Sequence, residues 1–354
     1  MATIYDVAAH AGVSIKTVSR VMNAEPNVRI ETRERVQAAA VALDYHPNLS
    51  ARSLAGSKSF IIAAIVDAKL TIDHWRSERG SDYLARVQLG ATLPCREAGY
   101  HLLIELIDHG RELVRQELDT LLAALKPDGV ILTPPSADDD SILDRLRRAG
   151  TPYVRLGPGR RDGGGLSLRL NEKAAARAMT DYLIGLGHRR IGFIEGDRRY
   201  ASSRSRRDGF LAAMAAEGLD AKWIHAGDYT YQSGYEGGRT MLKRASRPTA
   251  IFASNDDMAL GCIAAAADLG LQTPDDVSIA GFDDSSGSRF SRPQLTTLRQ
   301  PIVEMAELAA RALISGSVRP DCNEDGGKGL PNFVLVPRLS TAPPASAIRK
   351  LARP

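Results

Sequence analysis

The sequence has 354 residues, 44% of them apolar, and a formal charge of +4. That length accommodates a small domain plus one or two mid-sized ones, and so mild a charge permits a nucleic-acid partner without requiring one. No apolar run approaches a membrane span, and the three cysteines, Cys95, Cys262 and Cys322, are too few and too scattered for a disulfide framework or a metal site.

The first 57 residues carry three short helical patterns. Ile4, Val7, Ala8 and Ala11 share one face behind Thr3 and Asp6, an N-cap and its N3 acid. Ala11-Gly12-Val13 gives a glycine turn. Ser14 then caps a second helix with a buried stripe of Val18, Val21 and Met22. After the turn-prone 23–27, a third helix from about Glu31 to Asp44 turns Val36, Ala39, Ala40 and Leu43 inward. This is helix-turn-helix spacing, and a second helix lying in a major groove would offer Ile15, Lys16 and Thr17 to base edges. Tyr5, Ser19, Arg20 and Asn23 are types that hold phosphates or reach a base from the flank. On spacing alone, a three-helix cap with a solvated polar face fits equally well. Residues 1–58 hold seven Lys or Arg against five Asp or Glu, so charge decides little.

The run YDVAxxAGVSxxTVSRVxN, followed by TRERVxxAxxxLxYxPN and ARSLAG, resembles the headpiece and hinge of the lactose-repressor (LacI/GalR) family of bacterial transcription regulators at almost every position from Thr3 to Gly56. The resemblance implies that Ser14 opens the recognition helix and that Ile15 and Lys16 choose the operator. It adds Tyr5, Thr17, Ser19, Arg20, Asn23, Asn27, Arg29, Thr32 and Asn48 as further DNA contacts. Residues 47–57 form a short helix-capable segment, too short to be stable alone in water. By resemblance two such hinge helices pair in the minor groove at the operator centre, with Leu54 as the wedge that kinks the duplex.

Beyond Ser59 short apolar strands alternate with amphipathic helices, the pattern of parallel sheets covered on both faces. Strands are expected at Phe60 to Val66, His101 to Ile107, Gly129 to Thr133, Tyr153 to Leu156, Ile191 to Glu195, Ala250 to Ala253 and Val277 to Phe282. Helices are expected at Glu112 to Leu125, Asn171 to Leu186, Ser202 to Glu217, Ser233 to Lys243 and Asp256 to Leu269. There is enough for two sheets, with a small-molecule cleft at their strand ends. The region resembles the type I periplasmic-binding-protein fold of the family's regulatory core, whose chain crosses three times between subdomains. The crossings are expected near Gly157 to Gly165, Ser285 to Thr296 and Asp321 to Pro331. The expected fold class is therefore α/β. A helix-turn-helix headpiece (1–46) and hinge (47–57) precede a core of two doubly wound parallel-sheet subdomains (58–354). The first takes about 58–160 and 294–322, the second about 161–290 and 328–342.

The resemblance also implies an effector site. An SxRxxGF-like pattern in 202–210 assigns Arg204, the ND-MALG signature assigns Asn255, and Gly281-Phe282-Asp283 assigns Asp283; Tyr229 and Gln300 fall at further aromatic and polar positions. Such a set suits a sugar, since carboxylate and amide pair with vicinal hydroxyls, guanidinium forks across oxygens and an aromatic face packs on the ring. Asn255 and Asp283 equally suit plain helix caps. The sequence departs from the family pattern at 67–80, an insertion after the first core strand that is expected to overhang the cleft with Asp73, His74 and Trp75 before Tyr83 resumes the pattern. Pro94 sits inside an expected helix, and Gly163-Gly164-Gly165 reads as a flexible crossing.

The expected function is a repressor of a carbohydrate-utilisation operon, a homodimer on palindromic double-stranded DNA released by a sugar. A corepressor, a nucleobase or other metabolite, or a stand-alone sugar-binding protein are the alternatives. The chain opens on its first helix, so no secretory leader and a cytoplasmic location are expected, with no membrane partner. No metal, cofactor or enzymatic activity is expected, because the adjacent Asp283 and Asp284 come with no nucleophile motif or Rossmann fingerprint. The C-terminus lacks a leucine heptad, which argues for a dimer rather than a tetramer.

Overall fold

The computed structural model describes residues 2–22, 27–45, 58–77, 82–109, 114–160, 162–320, 323–325 and 332–345. Two compact units are present: Met1–Phe60 with Leu125–Asp128, and Ile61–Ala124 with Gly129–Pro354. The short second piece belongs with the first because the Asp128 carboxylate accepts the amides of Ser59 and Phe60 at 3.0 and 2.8 Å.

In the small unit, α1 (Ile4–Ala11), α2 (Ile15–Met22) and α3 (Ile30–Ala42) enclose a core of Val7, Ala8, Ala11, Val18, Val21, Val36, Ala39 and Ala40. Thr3 and Asp6 form the reciprocal capping box, and Gly12 ends α1 in the left-handed region at φ 60°. A side chain there would be strained, which is why the turn takes glycine. Ser14 Oγ accepts the Thr17 amide at 3.1 Å and starts α2. The expected hinge falls on residues outside those described.

The large unit begins with β1 (Ile61–Asp67), α4 (Ala68–Ser77), α5 (Asp82–Glu97), β2 (His101–Ile107) and α6 (Val114–Leu125). It continues through β3 (Gly129–Leu132), α7 (Asp140–Ala149), β4 (Tyr153–Leu156), β5 (Gly165–Leu168), α8 (Glu172–Gly185), β6 (Ile191–Glu195), α9 (Ala201–Ala216) and β7 (Ile224–Ala226). Then follow α10 (Tyr231–Leu242), β8 (Ala250–Ala253), α11 (Asp256–Asp268), β9 (Ser278–Ala280), α12 (Ser286–Phe290), β10 (Thr297–Arg299), α13 (Ile302–Ile314), β11 (Asn323–Asp325) and β12 (Val334–Val336).

Two parallel sheets result. The first has order β11-β5-β4-β3-β1-β2 and the second β7-β6-β8-β9, with β10 and β12 pairing antiparallel as a ribbon. The central strands of both are largely apolar runs because helices cover both faces, so nearly every residue of β1, β3, β6 and β8 is buried. Phe193 stacks on Phe210 at 4.8 Å and meets Phe252 edge-on at 5.4 Å, fastening α9 to the second sheet.

The structure corrects three expectations. The first crossing comes after Leu168, because β5 pairs with β4 in the first sheet. The second lies between Arg299 and Ile302 rather than near Ser285 to Thr296: bridges Ala280↔Thr296 and Asp283↔Arg299 keep that stretch with the second sheet, while α13 packs on α5. The expected third crossing falls largely on undescribed residues; its described part, β11, lies in the first sheet. Gly163-Gly164-Gly165 is a tight turn rather than a loose crossing, with Gly164 at φ 71° and Gly165 at φ 63°. It closes over the fully buried Arg155, whose Nε donates to the Ala137 carbonyl at 2.6 Å and whose guanidinium would lie 2.2 Å from a Cβ on Gly163.

Pro94 does lie inside α5. It removes the hydrogen bond that the Gly90 carbonyl would otherwise receive. Gly90 itself faces α13, where an added Cβ would come within 2.2 Å of the Val303 carbonyl oxygen.

Candidate functional site

In the small unit, α2 presents Ile15 (41% exposed) and the exposed Lys16, with Thr17 and Ser19 half-buried behind them. Ser14 Oγ lies 2.9 Å from Thr17 Oγ1. Tyr5 on α1 is 66% exposed, Arg20, Asn27 and Arg29 are exposed, and Thr32 is half-buried. The apolar stripe of α2 is spent on the core, so its opposite face is free for a groove. Asn23, Asn48 and Leu54 lie outside the described residues.

The large unit holds a cavity of about 140 Å³ with walls from both halves. Asp283, Asn255, Tyr229, Gln300, Trp75 and Tyr83 all line it. The Asp283 carboxylate accepts from Gln300 Nε2. Asn255 N-caps α11, taking the Met258 amide at 3.0 Å on Oδ1, while Nδ2 donates to the Tyr229 carbonyl at 2.9 Å. The cap and the cavity wall are thus the same residue. Tyr229 is buried, shares a hydrogen bond with Ser202 Oγ at 3.2 Å and meets the Tyr200 ring edge-on at 5.4 Å.

The backbone around the cavity is strained. Asp283 sits at φ 126°, Asp284 at φ 56° and Tyr229 at φ 71°. Non-glycine residues hold such angles at a cost of order 1–3 kcal/mol each, supplied by the surrounding packing. One holder is Arg86 of α5, which donates to the Asp283 carbonyl at 2.7 Å and also to that of Asp284. The Asp284 carboxylate turns away from the cavity into three arginines: Arg289 and Arg299 at 3.0 and 2.7 Å, and Arg338. Burial works against its charge, but those arginines win and hold its pKa below the usual carboxylate value. The neighbouring aspartates therefore point apart and form no acid-base pair.

Arg204 is the residue the structure does not bring to the cavity. It is exposed and donates to the Arg198 carbonyl at 2.5 Å. Two positions further along α9, Arg206 lines the wall instead. Its Nε donates to Glu172 at 2.8 Å, its Nη1 to the Ser254 carbonyl at 2.5 Å, and its guanidinium lies 3.7 Å over the Phe282 ring. Burial alone would lower its pKa, but Glu172, Tyr229 and Asp283 outweigh it and keep the group charged.

A profile of bacterial regulatory proteins of the lacI family matches residues 3–48, and one of periplasmic binding protein-like domains matches 180–341. The chain is 32% identical over 323 residues to a probable HTH-type transcriptional repressor, ExuR, of Bacillus subtilis, covering 91% of this chain and 93% of the relative. The chain belongs to the LacI family of bacterial regulators. It is also 31% identical to the ribose operon repressor of Escherichia coli, over 90% of this chain and 94% of that one. The lac repressor dimer bound to operator and an anti-inducer superposes with a TM-score of 0.78 at 27% identity, over 96% of this chain and 99% of that one. This LacI-family chain is accordingly a DNA-binding transcriptional regulator rather than an enzyme.

The register of its arginine motif is now plain. Counted back from Gly209-Phe210, the arginine that shares the inward face with Phe210 is Arg206, one turn away; Arg204 is half a turn off. Counting forward from the serines gives the wrong member of the run. The LacI-family regulator also uses Glu172, Tyr200, Ser202 and Asp257 in its cavity wall, none singled out from the sequence. Only Asp257 has a visible signal, as the second acid in the first turn after the Asn255 cap. Within the inserted stretch Ala68–Ser77 is a helix, α4, and it contributes Leu70, Thr71, His74 and Trp75 to the wall. Asp73 is exposed and not part of it. Among the described residues no helix is long and apolar enough to cross a membrane, and no cluster of three or more metal-ligand types occurs.

Proposed function

We propose that this regulator is a repressor of a carbohydrate-utilisation operon, released when a sugar binds in the core cavity. The observation that carries it is the joint presence, in one chain, of a helix-turn-helix unit and a cavity walled by Asp283, Asn255, Gln300, Arg206 and the ring of Tyr229. Carboxylate, amides and guanidinium suit hydroxyls, and an aromatic ring suits the C–H face of a pyranose or furanose. The ribose operon repressor is a relative named for such a role.

The DNA contacts of the reading are Tyr5, Ser14 to Thr17, Ser19, Arg20, Asn27, Arg29 and Thr32, with Asn23, Asn48 and Leu54. Protein two-fold symmetry maps onto a palindromic operator, so the working form is a homodimer. Leu89 and Leu93 on α5 and Leu308 on α13 are exposed apolar residues that a second copy would cover. Ligand and operator prefer different arrangements of the core halves, and that difference is the coupling. Asp283 is where the two meet: its side chain faces the ligand space, and its carbonyl is held by Arg86 from the other half. Operator binding titrated with a panel of sugars tests the reading. One sugar should lower operator affinity in the wild type and leave Asp283→Ala unresponsive; a normal response in that variant would put the effector elsewhere.

A further inference from the structure

The charge of the cavity wall is lopsided. Five carboxylates line it, those of Asp67, Asp82, Glu172, Asp257 and Asp283, against Arg206 as the one arginine or lysine in the wall among the described residues. Three of the five are answered: Asp67 by Arg199 at 3.5 Å, Asp82 by Arg86 at 2.9 Å and Glu172 by Arg206 at 2.8 Å. Arg206 is thereby used up, its charge balanced by Glu172 and its face covered by Phe282. Asp283 shares the field of Arg206 and accepts from Gln300 Nε2, whereas Asp257 has no such cation among the described residues. Asp257 sits in the first turn of α11 beside the Asn255 cap.

Burial, with Asp283 and Asp82 nearby, raises the Asp257 carboxyl to about 7, which marks a site where a negative charge is already unwelcome. His74 adds no compensating charge. Its burial lowers its pKa, although the Tyr229 backbone, Asp73 and Asp228 oppose this, and among the described residues its buried Nε2 has no partner. The hydroxyl of Tyr200, a residue 6% exposed, is likewise without a hydrogen bond in the same wall. A buried polar atom left unmatched is destabilising, so these two are atoms that a ligand's polar groups would satisfy.

The unanswered groups are thus mainly acceptors: the Asp257 carboxyl, a neutral imidazole nitrogen and a phenol that can turn either way. Their complement is rich in O–H or N–H donors. An added carboxylate or phosphate would instead meet Asp257 and Asp283 in a wall that already holds five carboxylates, a like-charge juxtaposition that disfavours binding.

We propose that the cavity selects its effector by charge, taking a donor-rich neutral or amino sugar and excluding sugar acids and sugar phosphates, with Asp257 as the residue that sets this choice. The inference rests on the effector-cavity reading above and narrows its ligand class. Asp257, His74 and Tyr200 form the polar part of the wall opposite in role to Arg206: acceptors for a ligand's hydroxyls or amine rather than a donor to its oxygens.

The test uses the full-length protein and three matched sets of probes. These are glucose, galactose, ribose and cellobiose; glucosamine and galactosamine; and glucuronate, galacturonate, glucose 6-phosphate and ribose 5-phosphate. Binding is read by calorimetry, and by thermal unfolding as a second readout. At least one member of the first two sets should bind and none of the third. Asp257→Asn, which keeps the shape and removes the group's ability to ionise, should narrow the preference for the neutral or amino sugar over its acid counterpart, by about tenfold or more at a pH above 7 where the wild-type carboxyl is ionised. A gain of acid binding in this variant cannot come from misfolding, and the wild-type panel stands even if the variant fails to fold. Binding of a uronate or phosphate by the wild type, or an unchanged preference in a folded Asp257→Asn, would overturn charge selection while leaving the effector cavity in place. Silence of all ten probes would overturn this inference and the sugar-effector reading together.

Discussion

Arg206 and Arg204 stand two residues apart on α9 and face opposite surroundings, and the difference is large enough to measure. Arg206 is buried against Glu172 and the Phe282 ring, so Arg206→Ala leaves a carboxylate without its cation in a low-dielectric wall. That should cost about 3 kcal/mol of stability. Arg204→Ala removes an exposed side chain and should stay within about 0.5 kcal/mol. Denaturant unfolding of the two variants checks this, and equal small effects would rule out Arg206 as the cation that balances Glu172. His188 makes a second prediction at this scale. It is 1% exposed, donates from Nε2 to the Ala342 carbonyl at 2.9 Å and accepts at Nδ1 from Thr249 at 3.0 Å. Burial depresses its pKa to about 4, against the opposing pull of that carbonyl. The unfolded chain therefore binds the proton first. The stability contributed by neutral His188 is complete above a pH of about 6.5 and lost as pH falls from there towards 4, at about 1.4 kcal/mol per unit. His188→Gln should flatten the stability profile in that window; an unchanged profile would assign the acid sensitivity to other groups.

Among the elements, α5 and α13 show what close packing demands. In an open helix, Gly→Ala gains up to about 1 kcal/mol from backbone entropy. At Gly90 the added methyl would come within 2.2 Å of the Val303 carbonyl oxygen and 2.9 Å of Ala306 Cβ, so Gly90→Ala should destabilise by about 1–3 kcal/mol. Gly185→Ala at the end of α8, with no atom within 4 Å of its Cβ position, should be neutral or better. Thermal unfolding of the pair reads the difference directly. For α2, Lys16→Ala should change which DNA sequence is preferred, since Lys16 is exposed at the N-terminal end of the helix offered to the groove. Binding-site selection with the variant would exclude Lys16 from base readout if the preferred sequence stayed the same.

The element scale is also where reading from sequence succeeds and stops. β2, β4, β6 and β8 are met at both ends because each is a short apolar run bounded by turn residues. β7, β10 and β12 are three residues each, too short to leave a pattern. β5 hides behind glycines that read as a crossing, though those glycines exist to turn over Arg155. The insertion at 67–80 offers one tryptophan and mixed polarity; its one helix signal is Asp67, which caps Ala68–Ser77 by accepting the Leu70 amide at 2.7 Å but reads in sequence as the end of the preceding strand. Asn255, Asp283, Tyr229 and Gln300 are legible through family motifs. Tyr200 and His74 are not legible as orphaned polar groups, because satisfaction of a hydroxyl or imidazole is a property of the packed state.

At the scale of the whole molecule, the two functions sit in two units of one chain. Among the described residues the small unit carries none of the cavity wall, and the large unit carries that wall and the strained Asp283 with Arg86 across it. Communication between them is a coupling free energy, which for regulators of this kind is of order 1–3 kcal/mol. The most direct measurement is selection of DNA by the full-length protein from a random duplex pool. One enriched sequence with two-fold symmetry should emerge, its half-sites set by the spacing of two recognition helices. Salt-sensitive binding with no sequence enriched, or an enriched site without symmetry, would contradict a dimeric, sequence-reading regulator.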